Sequence, residues 1–229
     1  MNRNFTAICA ALLMCAILIV FVGGTAFGKS AVSFADDRSG KTIYLTFDDG
    51  PSDRVTPKIL DVLKEENVKA TFFIIGKNAE TRKYLIEREI NEGHTVAVHT
   101  YSHEYKNIYA SPEKLLEDID KCNAVIKEIS GKTSTLYRFP GGSYGLSTSL
   151  INAVTEHGMR YIDWNASTRD AEFINPKPAQ LVKASVTTPS NSDFIVLLAH
   201  DSTTKTATAE ALKDIIKYYR NLDYTFSAF

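Results

Sequence analysis

Extended apolar segments alternate with amphipathic helical segments from residue 42 to the end of the chain. Runs rich in β-branched and aromatic residues predict strands, and apolar residues at helical spacing predict helices. Strands joined by helical crossovers pair in parallel, and seven or eight such units can close into a barrel. The alternation therefore predicts an α/β fold, a distorted (β/α)7-8 barrel of parallel strands, with an open doubly wound sheet as the alternative. The seven predicted strands span residues 43–47, 69–75, 94–98, 135–139, 159–164, 194–199 and 224–227.

The first 28 residues form a separate apolar segment that precedes this domain. Between Arg3 and Lys29 the chain has 25 residues without a charge, which is enough for an apolar helix that crosses a bilayer. Arg3 favours a cytoplasmic N-terminus, which places the remainder outside the cell membrane. We therefore predict a transmembrane anchor over 1–28, a polar linker over 29–41 and one domain over 42–229. A cleaved signal peptide and a secreted domain are the alternative.

Charge and cysteine content limit which partners the chain can bind and whether disulfides can stabilise the domain. The formal net charge is -1, so no overall basic field indicates a nucleic-acid partner. Cys122 is the one cysteine outside the apolar segment. The domain therefore has no internal disulfide and must be stabilised by its core. We interpret Cys122 as a buried apolar residue of a helix, and we expect a monomer that binds no nucleic acid.

Residues with catalytic chemistry collect at one end of the predicted strands. The carboxyl ends of parallel strands share one rim of a barrel, so these residues are expected to form one site. They are Asp48 and Asp49 after the first predicted strand, His99 and His103 after the third, Arg138 in the fourth, Asp163 and Trp164 at the end of the fifth, and His200 after the sixth.

Asp48 and Asp49 are adjacent carboxylates, which repel each other unless positive charge keeps them ionised. His99 and His103 are four residues apart, a spacing that on a helical turn points both imidazoles at one ion. Two histidines and one aspartate leave positions open for water and substrate, as at a catalytic metal ion. We predict one divalent ion, with zinc favoured and cobalt, nickel and manganese compatible with the same ligands. Arg138 is predicted to be a second cation that keeps a carboxylate ionised.

Three further features complete the predicted rim. The pair Gly141-Gly142 leaves backbone N–H groups accessible to a developing oxyanion. Asp163 can orient and charge a neighbouring histidine, with Trp164 as one wall of a substrate pocket. The alternative is an ordinary strand end with a core tryptophan. His200 titrates in the range that a general acid needs.

Five motifs in these segments resemble those of the polysaccharide deacetylases of the NodB-homology type, carbohydrate esterase family four. The motifs are Thr-Phe-Asp-Asp-Gly-Pro from Thr46, His-Thr-Tyr-Ser-His from His99, Arg-Phe-Pro-Gly-Gly-Ser from Arg138, Asp-Trp from Asp163 and Leu-Leu-Ala-His-Asp from Leu197. The resemblance covers residues 41–227. It implies that residues 42–229 are the catalytic domain, a distorted barrel that uses one divalent ion to remove acetyl groups from the N-acetylated sugars of a polymer.

The resemblance also implies a role for each residue at the first two motifs. Asp48 is the general base and pairs with Arg138. Asp49 holds the metal ion together with His99 and His103.

For the remaining motifs, the resemblance implies that His200 is the general acid and that Asp163 tunes it. Leu198 and Trp164 line the pocket for the acetyl methyl group, and a backbone N–H near Gly141 completes the oxyanion site. The predicted anchor favours peptidoglycan as the N-acetylated glycan. Chitin-type oligomers, a membrane-anchored carbohydrate-binding pseudoenzyme and another metal-dependent amide or ester hydrolase are the alternatives.

Overall fold

The structure, a computed structural model, describes residues 40–187 and 192–229. The predicted anchor or signal peptide over 1–28 and all but the last two residues of the predicted linker lie outside the described residues. Within the two described ranges, no helix combines the length and the apolar character needed to cross a membrane.

The described residues alternate between strands and helices along the chain, as the sequence predicts. The strands are β1 (Thr42–Asp48), β2 (Thr71–Ile75), β3 (Thr95–Thr100), β4 (Leu136–Tyr137), β5 (Arg160–Tyr161), β6 (Ala166–Ser167), β7 (Phe194–His200) and β8 (Thr225–Ser227). The helices are α1 (Thr56–Glu65), α2 (Gly76–Thr81), α3 (Lys83–Asn91), α4 (Tyr105–Ile108), α5 (Pro112–Ser130), α6 (Thr148–Glu156), α7 (Pro178–Thr187) and α8 (Thr206–Arg220).

One sheet of parallel strands organises the fold. Its strand order is β5-β4-β3-β2-β1-β7-β6, and β8 pairs with β1 beside this path. The central strand β1 pairs with β7 along its whole length, with β2 through Thr46–Asp48 and with β8 through Thr42–Tyr44. The predicted α/β fold is confirmed as a half-barrel of parallel strands with helices around it, in agreement with a distorted barrel.

The strand predictions differ from the structure where strands are short. All seven predicted strands are present, but the fourth and fifth are reduced to two residues each, and β6 was not predicted. Helices α2 and α3 follow each other with a single residue between them. The division falls at Arg82, whose φ of -134° is not helical, and whose side chain binds Asp53.

The alternation of β1 explains why its last residue faces the interior. Ile43, Leu45 and Phe47 pack with the surrounding helices in the larger hydrophobic cluster. Side chains of a strand alternate between its two faces, so Thr46 and Asp48 point to the other face. The neighbouring barrel interior is filled by a smaller apolar cluster, consisting of Phe73, Ala97, Leu136, Ile162 and Val196.

Helix α5 is the longest helix among the described residues and has the expected start and stop signals. The hydroxyl of Ser111 accepts a hydrogen bond from the backbone N–H of Lys114, Pro112 is in the first turn, and Gly131 ends the helix with a φ of 77°. Its buried face includes Cys122, which is a buried residue of a helix as predicted. The helix packs against β3.

Candidate active site

The carboxyl ends of the strands surround a cavity of about 400 Å³. Eight of the ten residues predicted for the site line this cavity: Asp48, Asp49, His99, His103, Gly141, Trp164, Leu198 and His200. The other two, Arg138 and Asp163, contact lining residues or their loop from outside the cavity. The rim predicted from the sequence is therefore one continuous site in this structure.

Arg138 supplies a buried positive charge to the first carboxylate. The arginine is 0% exposed and Asp48 is 3% exposed. Nη1 of Arg138 donates to Asp48 Oδ1 at 2.9 Å and to Thr46 Oγ1 at 2.7 Å, and Nε donates to the carbonyl of Ile162 at 2.9 Å. Burial lowers the pKa of Arg138 and Asp48 opposes that effect, but a guanidinium stays protonated at any working pH. Asp48 therefore has a permanent cationic partner.

Asp49, His99 and His103, called the Asp-His-His group below, converge on one point of the cavity. Asp49 Oδ1 lies 3.4 Å from His99 Nε2 and 3.3 Å from His103 Nε2. Ligand atoms of all three residues lie within 4.8 Å of one another. Asp49 and His103 adopt left-handed backbone conformations, with φ of 76° and 58°. Such conformations are uncommon for residues other than glycine and cluster at functional sites.

Hydrogen bonds orient both imidazoles of this group. His99 Nδ1 lies 2.9 Å from the carbonyl oxygen of Arg138. A carbonyl can only accept, so Nδ1 carries the proton and the lone pair of Nε2 faces Asp49. The backbone N–H of His103 donates to Thr100 Oγ1 at 3.1 Å. Burial on its own would raise the pKa of Asp49, but the hydrogen bonds and positive charge of His103 and His99 in their protonated forms outweigh it, and this pKa is lowered.

The Asp-His-His group fits a divalent metal ion. Asp49 Oδ1 is buried and accepts no hydrogen bond from the described part of the chain. Neighbouring ligands around a tetrahedral ion with bonds of about 2.0–2.1 Å are about 3.3 Å apart. The two N···O separations match that value, and an imidazole pair with a carboxylate is a donor set that zinc accepts.

The carboxylate beside His200 is Asp170, whereas the sequence predicted Asp163. His200 Nδ1 lies 2.7 Å from Asp170 Oδ1, and the backbone N–H of His200 donates to Asp170 Oδ2 at 2.9 Å. Thr208 Oγ1 donates to the same oxygen at 2.7 Å. Burial alone would lower the pKa of His200, but the Asp170 carboxylate outweighs it and raises that pKa to about 9. His200 is therefore an imidazolium at neutral pH, and its Nε2 remains available to the cavity.

Asp163 instead binds the loop that follows β4. Its carboxylate accepts hydrogen bonds from the backbone N–H of Ser143, at 3.0 Å, and from the Ser143 hydroxyl. On the same loop, Gly141 and Gly142 have φ of 79° and 84°. A Cβ on Gly142 would lie 3.0 Å from the ring of Trp164, so this close approach requires glycine. The prediction that Asp163 adjoins His200 is thus corrected, because both of its oxygens bind Ser143.

Sequence reasoning missed Asp170 and part of the cavity wall. The unpredicted lining residues are Tyr105, Ser167, Arg169, Ala171 and Glu172. Four of these five lie in or just after β6, which has two residues and is too short to show a strand period. The pair Arg169-Asp170 was the available signal, but a charged pair between predicted elements is typical of a surface loop.

The chain is similar in sequence to a family of known enzymes. The sequence model described as polysaccharide deacetylase matches residues 35–162. A peptidoglycan-N-acetylglucosamine deacetylase of Bacillus cereus is 32% identical over 206 residues, which cover 88% of this chain and 74% of that protein.

Solved structures show the same similarity in fold. The catalytic domain of the peptidoglycan N-acetylglucosamine deacetylase from Eubacterium rectale superposes with a TM-score of 0.77 at 36% identity, and the match covers 83% of this chain and 89% of that one. A CE4 esterase from Streptococcus mutans gives a TM-score of 0.77 at 32% identity, covering 83% of this chain and 86% of that one.

Proposed function

Because the chain belongs to the polysaccharide deacetylase family, we propose that it hydrolyses the N-acetyl groups of N-acetylglucosamine residues in peptidoglycan. One observation carries the proposal. A carboxylate paired with a guanidinium, a histidine paired with a carboxylate, and the Asp-His-His group all meet at the same cavity. The relatives named as peptidoglycan-N-acetylglucosamine deacetylases support the choice of polymer and sugar.

The Asp-His-His group is proposed to hold one zinc ion. Its carboxylate and its two Nε2 atoms are the ligands, and the cavity leaves the remaining positions open to water and substrate. When bound, such an ion supplies Lewis-acid chemistry, which makes water more acidic and polarises a carbonyl group.

Asp48 is proposed to act as the general base. Arg138 holds its Oδ1 at 2.9 Å, which leaves Oδ2 to take a proton from the water that attacks the acetamide carbon. The fixed charge of Arg138 keeps Asp48 in the carboxylate form that this step needs. A backbone N–H near Gly141, in the loop held by Asp163, donates to the carbonyl oxygen as negative charge develops there.

His200 is proposed to act as the general acid. Its imidazolium, stabilised by Asp170, protonates the sugar nitrogen while the bond between that nitrogen and the acetyl carbon breaks. One water is consumed, the acetyl group leaves as acetate and the sugar keeps a free amine. Trp164 and Leu198, which line the cavity, are proposed to enclose the acetyl methyl group.

Residues 1–28 are proposed to deliver this domain to the outer side of the membrane. The 25 uncharged residues between Arg3 and Lys29 support either an anchored or a secreted form. Both forms bring the cavity to peptidoglycan.

The proposal is tested by acetate release from purified peptidoglycan and from a chitin oligomer, with product analysis that separates free glucosamine from free muramic acid. We expect acetate and free glucosamine from peptidoglycan, complete loss of activity in excess EDTA, and recovery when zinc is added.

Two outcomes would contradict this proposal in different ways. Activity that survives in excess EDTA excludes the role of the ion. Stoichiometric zinc binding without acetate release from either polymer would indicate a carbohydrate-binding pseudoenzyme.

A further inference from the structure

The turn between His99 and His103 is held by a carboxylate from another element. Asp118 lies on α5, and its side chain points to the turn of residues 100–102. Its Oδ1 accepts from Thr100 Oγ1 at 2.5 Å and from the backbone N–H of Tyr101 at 2.7 Å. Its Oδ2 accepts from the backbone N–H of Ser102 at 3.0 Å and from Ser102 Oγ at 2.7 Å. Each oxygen of the Asp118 carboxylate thus accepts two hydrogen bonds, and the four donor groups belong to three consecutive residues.

The position of Asp118 distinguishes it from the other acids of the same helix. Asp118 is 9% exposed, whereas Glu117 and Asp120 face solvent and pair with Lys114 and His157. A carboxylate is removed from water only at a cost, which four hydrogen bonds offset here. Asp118 is therefore fitted to the turn and is not an incidental surface charge.

The bonds of Asp118 act on the backbone that places the second imidazole. Thr100 Oγ1 donates to Asp118 and at the same time accepts the backbone N–H of His103. His103 needs this support because its φ of 58° is unfavourable for a residue with a Cβ. The two successive N–H groups of Tyr101 and Ser102 point to one side of the turn, where they form a concave site for an anion.

The carboxylate is anchored by a rigid element. Leu115, Ile119 and Cys122 of α5 are buried in the large core cluster. The helix packs on β3, the strand that ends at Thr100. The core therefore fixes Asp118, and Asp118 fixes the turn.

We propose that Asp118 is a positioning residue for the metal site, which shapes the turn so that His99 and His103 reach the same ion. The inference rests on the proposed function, since it concerns the ion held by the Asp-His-His group. Outer groups that orient metal ligands change metal affinity by about 10- to 100-fold when they are removed. Asp118 acts one step further back than the residues that touch the imidazoles, through the backbone that carries them.

The test is zinc binding to the metal-free protein, measured by competition with a chromogenic chelator. Asp118→Asn keeps the size of the side chain but replaces one acceptor oxygen by an NH2 group, which faces two donors of the turn. We expect the dissociation constant for Zn²⁺ to rise about 10- to 100-fold. Asp120→Asn, on the same helix but paired with His157, is the matched control and should bind zinc like the wild type.

A second readout separates positioning from general destabilisation. In metal-free Asp118→Asn, the amides of Tyr101 and Ser102 should exchange their hydrogens faster, while amides in the middle of α5 keep their protection. Ser102→Ala is a milder variant that removes one of the four bonds to Asp118, together with the 3.3 Å bond that Ser102 Oγ accepts from the backbone N–H of Glu104, and it keeps the carboxylate. It should weaken zinc binding by about 3- to 10-fold, and it decides the question if Asp118→Asn does not fold.

The outcomes are distinguishable. If the wild type binds zinc, and folded Asp118→Asn binds it as tightly with unchanged exchange at Tyr101 and Ser102, the positioning role is overturned while the proposed function stands. If the wild type itself does not bind zinc, the metal site of the proposed function is overturned, and the role of Asp118 with it.

Discussion

Two groups of charged side chains meet at the cavity, and they differ in whether the chain itself supplies a partner of opposite charge. In the proton-transfer group, defined as Asp48, Arg138, Asp170 and His200, each charge has an opposite partner within the chain. The partners are 2.9 Å apart for Asp48 and Arg138, and 2.7 Å apart for Asp170 and His200. In the Asp-His-His group, the N···O separations are 3.3 and 3.4 Å, and a buried oxygen of Asp49 accepts no hydrogen bond within the described residues.

The difference shows how adjacent carboxylates at one strand end can take separate roles. A buried charge is tolerated when a partner is present. Asp48 has its partner as soon as the chain is folded. Asp49, the next residue, is arranged for a partner that comes from solution. Proton transfer and cation binding are therefore expected to respond separately to substitution.

The largest difference between the effect on turnover and the effect on zinc binding is expected for His200→Ala. The variant removes the proposed proton donor and leaves the Asp-His-His group unchanged. Turnover should fall about 10²- to 10⁴-fold, which is what general acid–base catalysis contributes. Zinc affinity should not fall, because the variant removes a positive charge near Asp49. Acetate release and chelator competition measure the two properties. His157→Ala, at a surface histidine paired with Asp120, is the control and should keep both.

A parallel loss of zinc binding in His200→Ala would contradict the separation of the two groups. It would mean that the histidine contributes to holding the ion.

The next comparison concerns stability without metal. Asp48→Asn leaves the buried guanidinium of Arg138 uncompensated, and removal of one partner of a buried ion pair costs about 3–5 kcal/mol. Asp49→Asn removes a charge whose neighbours in the chain are two titratable imidazoles at 3.3 and 3.4 Å and not a permanent cation, so it should cost less than Asp48→Asn. Urea unfolding of both variants in EDTA measures the two losses. Equal losses would show that Asp49 is as fully partnered in the folded chain as Asp48.

A smaller effect is expected on the pH dependence when Asp170 is replaced. The proposed acid must be protonated, so kcat/KM falls as pH rises through the pKa of His200. Asp170 raises that pKa to about 9 in the metal-free protein, and a dication at Asp49 would lower it. Asp170→Asn removes the main raising contribution. The alkaline decline should therefore move about 1 to 2 pH units lower, because hydrogen bonds to charged groups contribute about 1.5–3 kcal/mol. At alkaline pH, where His200 is largely deprotonated in both proteins, kcat/KM of the variant should be about 10- to 100-fold lower.

Asp163→Asn is the matched variant for this profile. Because Asp163 binds Ser143, its replacement should leave the position of the alkaline decline unchanged. If the alkaline decline moved in Asp163→Asn and not in Asp170→Asn, the result would support the pairing of Asp163 with His200 that was predicted from the sequence.

The rim residues could be predicted because topology alone brings them together. Parallel strands with helical crossovers place all carboxyl ends on one side, so Asp48, His99 and His200 needed only correct strand boundaries. Asp170 could not be found in this way. It follows a strand of two residues, and its contact with His200 exists only once β6 has paired with β7.

Asp118 was hidden for a different reason. In sequence it is one of several acids on an amphipathic helix, where exposed charge is the ordinary expectation. Its burial depends on how α5 packs on β3, which periodicity does not specify. Local sequence patterns thus identify the residues that line the cavity. The residues that orient those side chains can be identified only from the packing between helices and strands.

Asp48 and His200 are direct partners in the pairing of β1 with β7. Neighbouring strands lie about 4.8 Å apart, so the hydrogen bonding between these two strands sets the distance between the proposed base and the proposed acid. The walls around them come largely from loops, including the segment of residues 167–172 and the loop after β4. Insertions and substitutions in those loops can change which glycan enters without altering that distance. The placement of Asp48 and His200 therefore depends on the sheet, whereas the choice of substrate can change with the sequence of the loops.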